Sequence, residues 1–175
     1  MAASQTRRVN LMSLFVHLVV ASLAWLSPAV PAKTARIYAD LIAFEAHWYS
    51  IDPLIVVSII HIESGWKPRK KSTTNDYGLM QVHVARRGSS RFYGKEKELY
   101  DPRVNIREGT RLLAMWKDYH NRWCKEEHPY WSHYKYGKQI TGPITHALKV
   151  KALRDLLAHK FGREYASKSG ISRVD

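Results

Sequence analysis

Two Asp-Pro pairs constrain this chain more than any other feature. Asp52-Pro53 and Asp101-Pro102 each place a side-chain acceptor ahead of a residue whose fixed φ suits the first turn of a helix. The run after the first pair, Leu54 to Ile62, is rich in valine and isoleucine and would suit a buried strand by propensity. The cap and the proline decide for a helix. After the second pair, Ile106, Gly109, Leu113, Trp116, Tyr119 and Trp123 hold one stripe of a longer helix. Ahead of both, Ile37, Leu41, Phe44 and Trp48 recur at helical offsets and share a face. Residues 65–77 are polar, carry Pro68 and the basic cluster Arg69-Lys70-Lys71, and are read as a loop. Pro129 to Tyr136, closed by Gly137, is a short helix, and Gly142-Pro143 opens a last one that runs to about Phe161. Strand alternation is nearly absent. The fold class is all-α, a single compact helical domain with minimal strand.

Composition sets the class of protein. Hydrophobic residues make up 45% of 175, with 6 Trp and 10 Tyr, enough for a core and too much for a disordered or fibrous chain. The lone Cys124 excludes an intramolecular disulfide framework and a cysteine-rich zinc site. His61 has no second ligand at metal spacing, so no metal and no cofactor is expected. At the N-terminus, Arg7 and Arg8 precede an apolar stretch from Leu11 to Leu26, and small residues follow that suit cleavage after Ala29 or Ala32. Residues 1–32 read as a secretory signal peptide standing outside the packed core, with an uncleaved anchor as the alternative. The domain is then 33–166, and 167–175 is expected to be a mobile tail.

Export gives the charge its meaning. Lys and Arg number 28 against 15 Asp and Glu, for a net +13 and a pI of about 9.9, and removing 1–32 costs only Arg7 and Arg8. In a cytosolic protein such a surface would suggest nucleic acid. Outside the cytoplasmic membrane the abundant polyanion is the cell wall, and nucleic acid is not an expected partner.

The chemistry concentrates around Glu63. On a helix it shares a face with Val56, Ile59 and Ile60, an unusual address for a carboxylate. It also falls at the carboxyl end, where the helix dipole repels an anion, and both influences are expected to raise its pKa toward that of a general acid. The alternative is a helix-terminal glutamate turned to water, bonding Ser64 or Lys67. A second cluster follows at Asn75-Asp76-Tyr77-Gly78-Leu79-Met80-Gln81. Gly78 permits a sharp turn, Met80 offers an adaptable apolar wall, and the Gln81 amide suits sugar hydroxyl or amide groups. Each also has a plainer reading, as an ordinary turn, core packing and a solvated side chain.

Taken in order, Glu63-Ser64, a loop, Gly78-Leu79-Met80-Gln81, then Asp101-Pro102 with Asn105-Ile106 and Gly109 resemble the catalytic domain of the soluble-lytic-transglycosylase type, in the lysozyme-like superfamily. The resemblance covers about residues 51–137. It implies cleavage of the glycan between N-acetylmuramic acid and N-acetylglucosamine, leaving a 1,6-anhydro end. Glu63 then maps onto the catalytic acid/base, Ser64 onto its supporting neighbour, and Met80 and Gln81 onto cleft residues that contact sugar. Asn105 and Gly109 match the motif that shapes the helix behind the site. The sequence departs where the family carries Ala-Tyr-Asn: here it reads His133-Tyr134-Lys135-Tyr136-Gly137, so Tyr134 keeps the tyrosine and Lys135 replaces the asparagine. Trp66 stands where phenylalanine is common, for sugar stacking or for core packing.

Asp76 opens a rival within enzymes. The Asp-Tyr-Gly sequence is also similar to the strand-turn region of animal-type lysozymes, whose aspartate serves as a second carboxylate, and a hydrolase needs such a pair at a fixed separation. Otherwise Asp76 orders the loop. A rival from another class is a wall-binding or assembly protein without turnover. The expected partner is the peptidoglycan glycan strand, in the periplasm or cell envelope, with a secretion, conjugation or appendage complex by analogy and membrane contact only through an uncleaved N-terminal segment. In the C-terminal segment, Leu148, Ala152, Leu156 and His159 form one stripe and Leu153, Leu157 and Phe161 another, as in a helix packed on the domain.

Overall fold

The computed structural model describes residues 2–85, 90–124 and 127–169, with side chains described over 12–162 within those spans. In chain order these form α1 (Ala2–Leu26), α2 (Ala32–Trp48), α3 (Pro53–Ser64), the strands β1 (Asp76–Tyr77) and β2 (Val82–His83), a 3-10 turn (Glu96–Tyr100), α4 (Pro102–Trp123), α5 (Ser132–Tyr136) and α6 (Thr145–Ser169). The two strands pair antiparallel, Asp76 opposite His83 and Tyr77 opposite Val82, and make the one sheet among the described residues. This is the helical fold class that the capping pattern implies.

α3 is the centre. Every residue from Pro53 to Ile60 is buried, and a helix that is apolar all round has to be enclosed on all sides. Helices α1, α2 and α6 enclose it. Asp52 starts it as expected: one carboxylate oxygen accepts the Leu54 N–H at 2.8 Å, and Pro53 takes the first helical position. The other oxygen accepts Arg154 Nε of α6 at 2.7 Å. One side chain therefore both caps the central helix and ties the last helix to it.

The helical periodicity of α2 is present, but its bulky face points outward. Ile37, Phe44 and Trp48 are exposed, Trp48 by 71%, and Phe44 stacks on Trp48 with centroids 6.4 Å apart. The buried face consists of Ala35, Tyr38, Ala39, Ile42, Ala43 and Ala46. Small side chains let neighbouring helices approach closely, and α2 packs against α1, α3 and α4.

α1 differs from the expectation that the N-terminal segment stands outside the core. Val16, Leu18, Val19 and Leu23 are buried in the main cluster, and α1 packs on α2, α3 and α6. Trp25 meets the ring of Phe161 edge-on at 6.4 Å under the ammonium of Lys160. No described helix is long and apolar enough to cross a membrane.

α4 turns a polar face inward. Asn105, Glu108 and Thr110 are buried beside Ile106, Gly109 and Leu113, whereas Trp123, at the end of the apolar stripe, is exposed. The buried Glu108 carboxylate is held by Arg91 at 2.6 Å and Arg111 at 2.8 Å. On α6 the two apolar stripes part company: Leu157 is buried and Leu153 and Phe161 pack against the core, while Leu148 and Leu156 stay exposed. α6 continues through Ser169, past the expected end near Phe161; of the tail expected at 167–175, residues 170–175 lie outside the described residues.

The double duty of Asp52 sets a testable contrast. Asp52→Ala removes cap and ion pair and is expected to cost about 1–3 kcal/mol in urea unfolding, whereas Asp52→Asn keeps a good cap and costs less than about 1 kcal/mol. Equal losses from the two variants would show that the cap contributes nothing.

Candidate active site

Glu63 sits one residue before the end of α3, where the chain turns abruptly. Gly65 adopts φ 57° and returns its N–H to the His61 carbonyl at 3.1 Å. Trp66 follows at φ 67°, uncommon for a bulky residue, and two contacts hold it there. Its N–H donates to Ser64 Oγ at 3.2 Å, and its buried ring stacks on Tyr38 at 6.2 Å. Ser64 Oγ in turn donates to the Ile60 carbonyl at 2.9 Å. Ser64 therefore supports Glu63 by fixing the turn, and Trp66 is core packing. Half-buried His61 has its imidazole pKa pushed down by that burial.

The Glu63 side chain is only 11% exposed, so the carboxyl does not point into bulk solvent. Two nitrogens approach its Oε1. Lys135 Nζ lies at 3.8 Å from α5, and His146 Nε2 at 2.9 Å from the first turn of α6. The imidazole nitrogens of His146 are buried without an aligned hydrogen-bond partner, so the 2.9 Å approach is a close polar contact out of line with a ring N–H. Lys135 thus occupies the asparagine position with a cation facing the carboxyl. His146 was not signalled by the sequence. It lies far along the chain, in a segment whose apolar stripes speak only of packing, and a histidine at such a spacing forms no motif.

The turn between β1 and β2 is locked to α4 by one amide. Asn105, fully buried, donates from Nδ2 to the carbonyls of Tyr77 at 2.7 Å and Leu99 at 2.9 Å, and its Oδ1 accepts the Met80 N–H at 2.7 Å. Gly78 is required here on two counts: φ is 78°, and a Cβ would collide with the Asn105 amide and the Leu99 carbonyl. Gly109 serves the same junction from α4, since a Cβ there would run into the Met80 side chain.

That locking changes what two predicted sugar contacts do. The Met80 side chain is fully buried against α4, and Gln81, at φ 51°, is buried with its amide nitrogen donating to the carbonyls of Gly78 at 2.9 Å and Lys70 at 3.2 Å. Both side chains are built into the turn and its contact with α4. Lys70 closes the circuit by donating from its ammonium to the Glu63 carbonyl. Tyr134 joins the same wall: its hydroxyl donates to the Met80 carbonyl at 2.9 Å. Burial, and then the negative charges of Glu63, Glu108 and Asp76, push that phenol well above its ordinary pKa, so it remains a donor.

Asp76 is engaged on both oxygens. Oδ2 accepts Ser72 Oγ at 2.7 Å and Thr74 Oγ1 at 2.6 Å, and Oδ1 lies 2.8 Å from His83 Nδ1. Burial works against its charge, but the hydrogen bonds from Thr74, Ser72 and His83 together outweigh it and hold the carboxyl below its ordinary pKa. Such a carboxylate orders the loop that leads into the turn.

Comparison with known proteins places the chain among relatives. The model of the transglycosylase SLT domain matches residues 40–135, which include Glu63, the Gly78–Gln81 turn, Asn105 and Tyr134. Membrane-bound lytic murein transglycosylase E of Buchnera aphidicola is 36% identical over 90 residues, 47% of this chain and 41% of that protein. Membrane-bound lytic murein transglycosylase C of Edwardsiella ictaluri is 30% identical over 107 residues, 57% of this chain and 30% of that protein. Endo-type membrane-bound lytic murein transglycosylase A of Cronobacter sakazakii is 31% identical over 96 residues, 51% of this chain and 47% of that protein. The chain spans less than half the length of these relatives, and no solved structure matches it. With the family model covering more than half of its residues, the chain belongs to the transglycosylase SLT domain family.

Proposed function

We propose that this protein is a peptidoglycan lytic transglycosylase in which Glu63 is the single acid/base. The observation that carries the reading is the contrast between two carboxyls. Glu63 is nearly buried at a helix end with two nitrogens beside it, whereas Asp76 has both oxygens engaged by its own loop. In the first half of the reaction the Glu63 carboxyl gives its proton to the glycosidic oxygen as the C1–O bond breaks. In the second, the resulting carboxylate takes the proton of the muramyl 6-hydroxyl as that oxygen bonds to C1. The proton count closes with no water consumed, and the product is a 1,6-anhydromuramyl end. Between the two halves Glu63 is an anion, and the Lys135 ammonium 3.8 Å away stabilises that charge.

The relatives are named membrane-bound lytic murein transglycosylases, which supports work in the cell envelope on peptidoglycan. The basic surface favours accumulation on wall carboxylates. Export would be directed by residues 1–32, either with cleavage after Ala29 or Ala32, which would strip the α1 cover from α2 and α3, or with retention as an anchor, which would keep it. The mass of the N-terminus of protein recovered from the envelope distinguishes these. Local opening of the wall for a secretion, conjugation or appendage complex fits a domain of this size by analogy alone.

Three variants test the assignment of roles. Glu63→Gln is expected to lower turnover of purified peptidoglycan by about 10²- to 10⁴-fold at unchanged fold. Turnover within a few-fold of wild type would remove Glu63 from the chemistry, and no turnover from wild type either would favour a wall-binding protein. Lys135→Met removes an exposed cation worth up to about 1 kcal/mol and is expected to lower turnover by no more than roughly fivefold. Asp76→Asn is expected to keep near-normal turnover but to unfold more easily at neutral pH. Because the folded pKa of Asp76 lies below its unfolded value of about 3.9, its stabilisation is present above that value and fades as pH falls through the folded one. The gap in urea midpoint between wild type and Asp76→Asn should therefore narrow as pH falls below about 3.9. A gap independent of pH would contradict the loop-anchoring role.

A further inference from the structure

We propose that His120, Cys124, His128 and His133 form a four-coordinate transition-metal site at the junction of α4 and α5, and that Zn²⁺ is the ion it fits best. Their spacing, with three residues between His120 and Cys124, three between Cys124 and His128 and four between His128 and His133, is compatible with metal ligation. They are spread over a helix end, a connection and a short helix, and the expectation of no metal rested on counting cysteines and on the surroundings of His61. The fold brings them together, with one ligating atom from each, all within 4.8 Å of one another.

The local structure explains how. His120 and Cys124 are four residues apart at the end of α4, so their side chains share a face, and the Cys124 N–H caps the helix on the His120 carbonyl at 3.0 Å. His133, fully buried, is presented by α5 and stacks on Trp116 with centroids 5.5 Å apart. His128 comes from the connection between the helices. His120 Nδ1 lies 3.4 Å from His133 Nε2, and Cys124 Sγ lies 3.3 Å from His128 Nε2. Tetrahedral zinc with nitrogen at 2.0–2.1 Å and sulfur at 2.3 Å has ligand atoms about 3.3–3.6 Å apart. The two observed pairs are close to two edges of that tetrahedron.

The tautomers point the same way. His133 Nδ1 is 2.7 Å from the Gly137 carbonyl, which only accepts, so Nδ1 carries the proton and Nε2 turns its lone pair into the cluster. His128 Nδ1 stands 3.4 Å from the Pro129 carbonyl and Nε2 faces the sulfur, the same arrangement more loosely made. A backbone carbonyl behind the imidazole is the usual orienting partner of a metal-bound histidine. Cys124, His128 and His133 also line, with residues 138–141, an open pocket of about 420 Å³, which gives an ion a way in.

The donor set selects the ion. One thiolate and three imidazoles suit zinc and leave no coordination position for substrate, which makes the site structural and not catalytic. Its placement has a consequence for the surroundings of Glu63. The residues after His133 are Tyr134, bonded to the Met80 carbonyl, and Lys135, facing Glu63. A metal here would fix α5 against α4 and hold those two side chains in register.

Untagged full-length protein, stripped with a chelator and then loaded with Zn²⁺ or Co²⁺, tests this directly. Elemental analysis after gel filtration should find one zinc retained per chain. The cobalt form should show the intense visible bands of tetrahedral Co²⁺ together with a thiolate-to-metal charge-transfer band. Cys124→Ser should abolish the charge-transfer band, and His128→Ala should weaken zinc binding by at least about tenfold. Zinc should also raise the thermal midpoint of the wild type and not that of His128→Ala. The proposal is overturned if the wild type retains no metal or if its cobalt spectrum is the weak octahedral one without charge transfer. These two readouts need no variant to fold. It is overturned equally if both variants, folded by circular dichroism, bind zinc as the wild type does.

Discussion

The buried amide of Asn105 makes three hydrogen bonds that no apolar side chain could make at that point of α4. Leaving any one of those backbone groups unpaired in the interior would cost about 1–3 kcal/mol, so the turn after β1 has one low-energy place to be. Everything on that side of the site follows in sequence. The turn fixes the Met80 carbonyl, the carbonyl receives the Tyr134 hydroxyl, and Tyr134 holds α5, from which Lys135 reaches the Glu63 carboxyl. From the other side, Gln81 binds the Lys70 carbonyl and Lys70 binds the Glu63 carbonyl. A carboxyl at the end of a helix is thereby positioned from both directions by side-chain hydrogen bonds to backbone groups.

Two parts of the chain meet at that carboxyl. The segment matched by the family model supplies Glu63, the turn, Asn105 and α5 as far as Lys135. α6, which lies beyond the match, supplies His146 at 2.9 Å from Glu63 and Arg154 on the cap of the central helix. α1, which lies before it, covers α2 and α3 with Val19 and Leu23. The flanking helices therefore enclose the shared domain, and one of them adds a polar group next to the Glu63 carboxyl.

What could be read from the sequence was local. Asp52-Pro53 and Asp101-Pro102 mark their helices because capping is a matter of adjacent residues, and the left-handed turns at Gly65 and Gly78 are marked by glycine for the same reason. Glu63 stood out because its charge conflicts with its apolar helical neighbours. What escaped depends on tertiary placement. The bulky stripe of α2 faces out because the alanine stripe permits closer helix contact, and periodicity alone does not rank two such faces. Met80 and Gln81 have the chemistry of sugar contacts, yet the close approach of α4 buries both. His146 meets Glu63 across a long stretch of chain, and the four residues from His120 to His133 converge only because α5 folds back on the end of α4.

The central claim is that a single carboxyl carries the reaction and that the muramyl 6-hydroxyl, not water, closes it. Digestion of purified peptidoglycan in heavy-oxygen water, followed by mass spectrometry of the new muramyl ends, tests it most directly. The account predicts ends lighter than a reducing end by one water and free of solvent oxygen. Reducing ends that carry the heavy oxygen would contradict it and would require a second group to activate water.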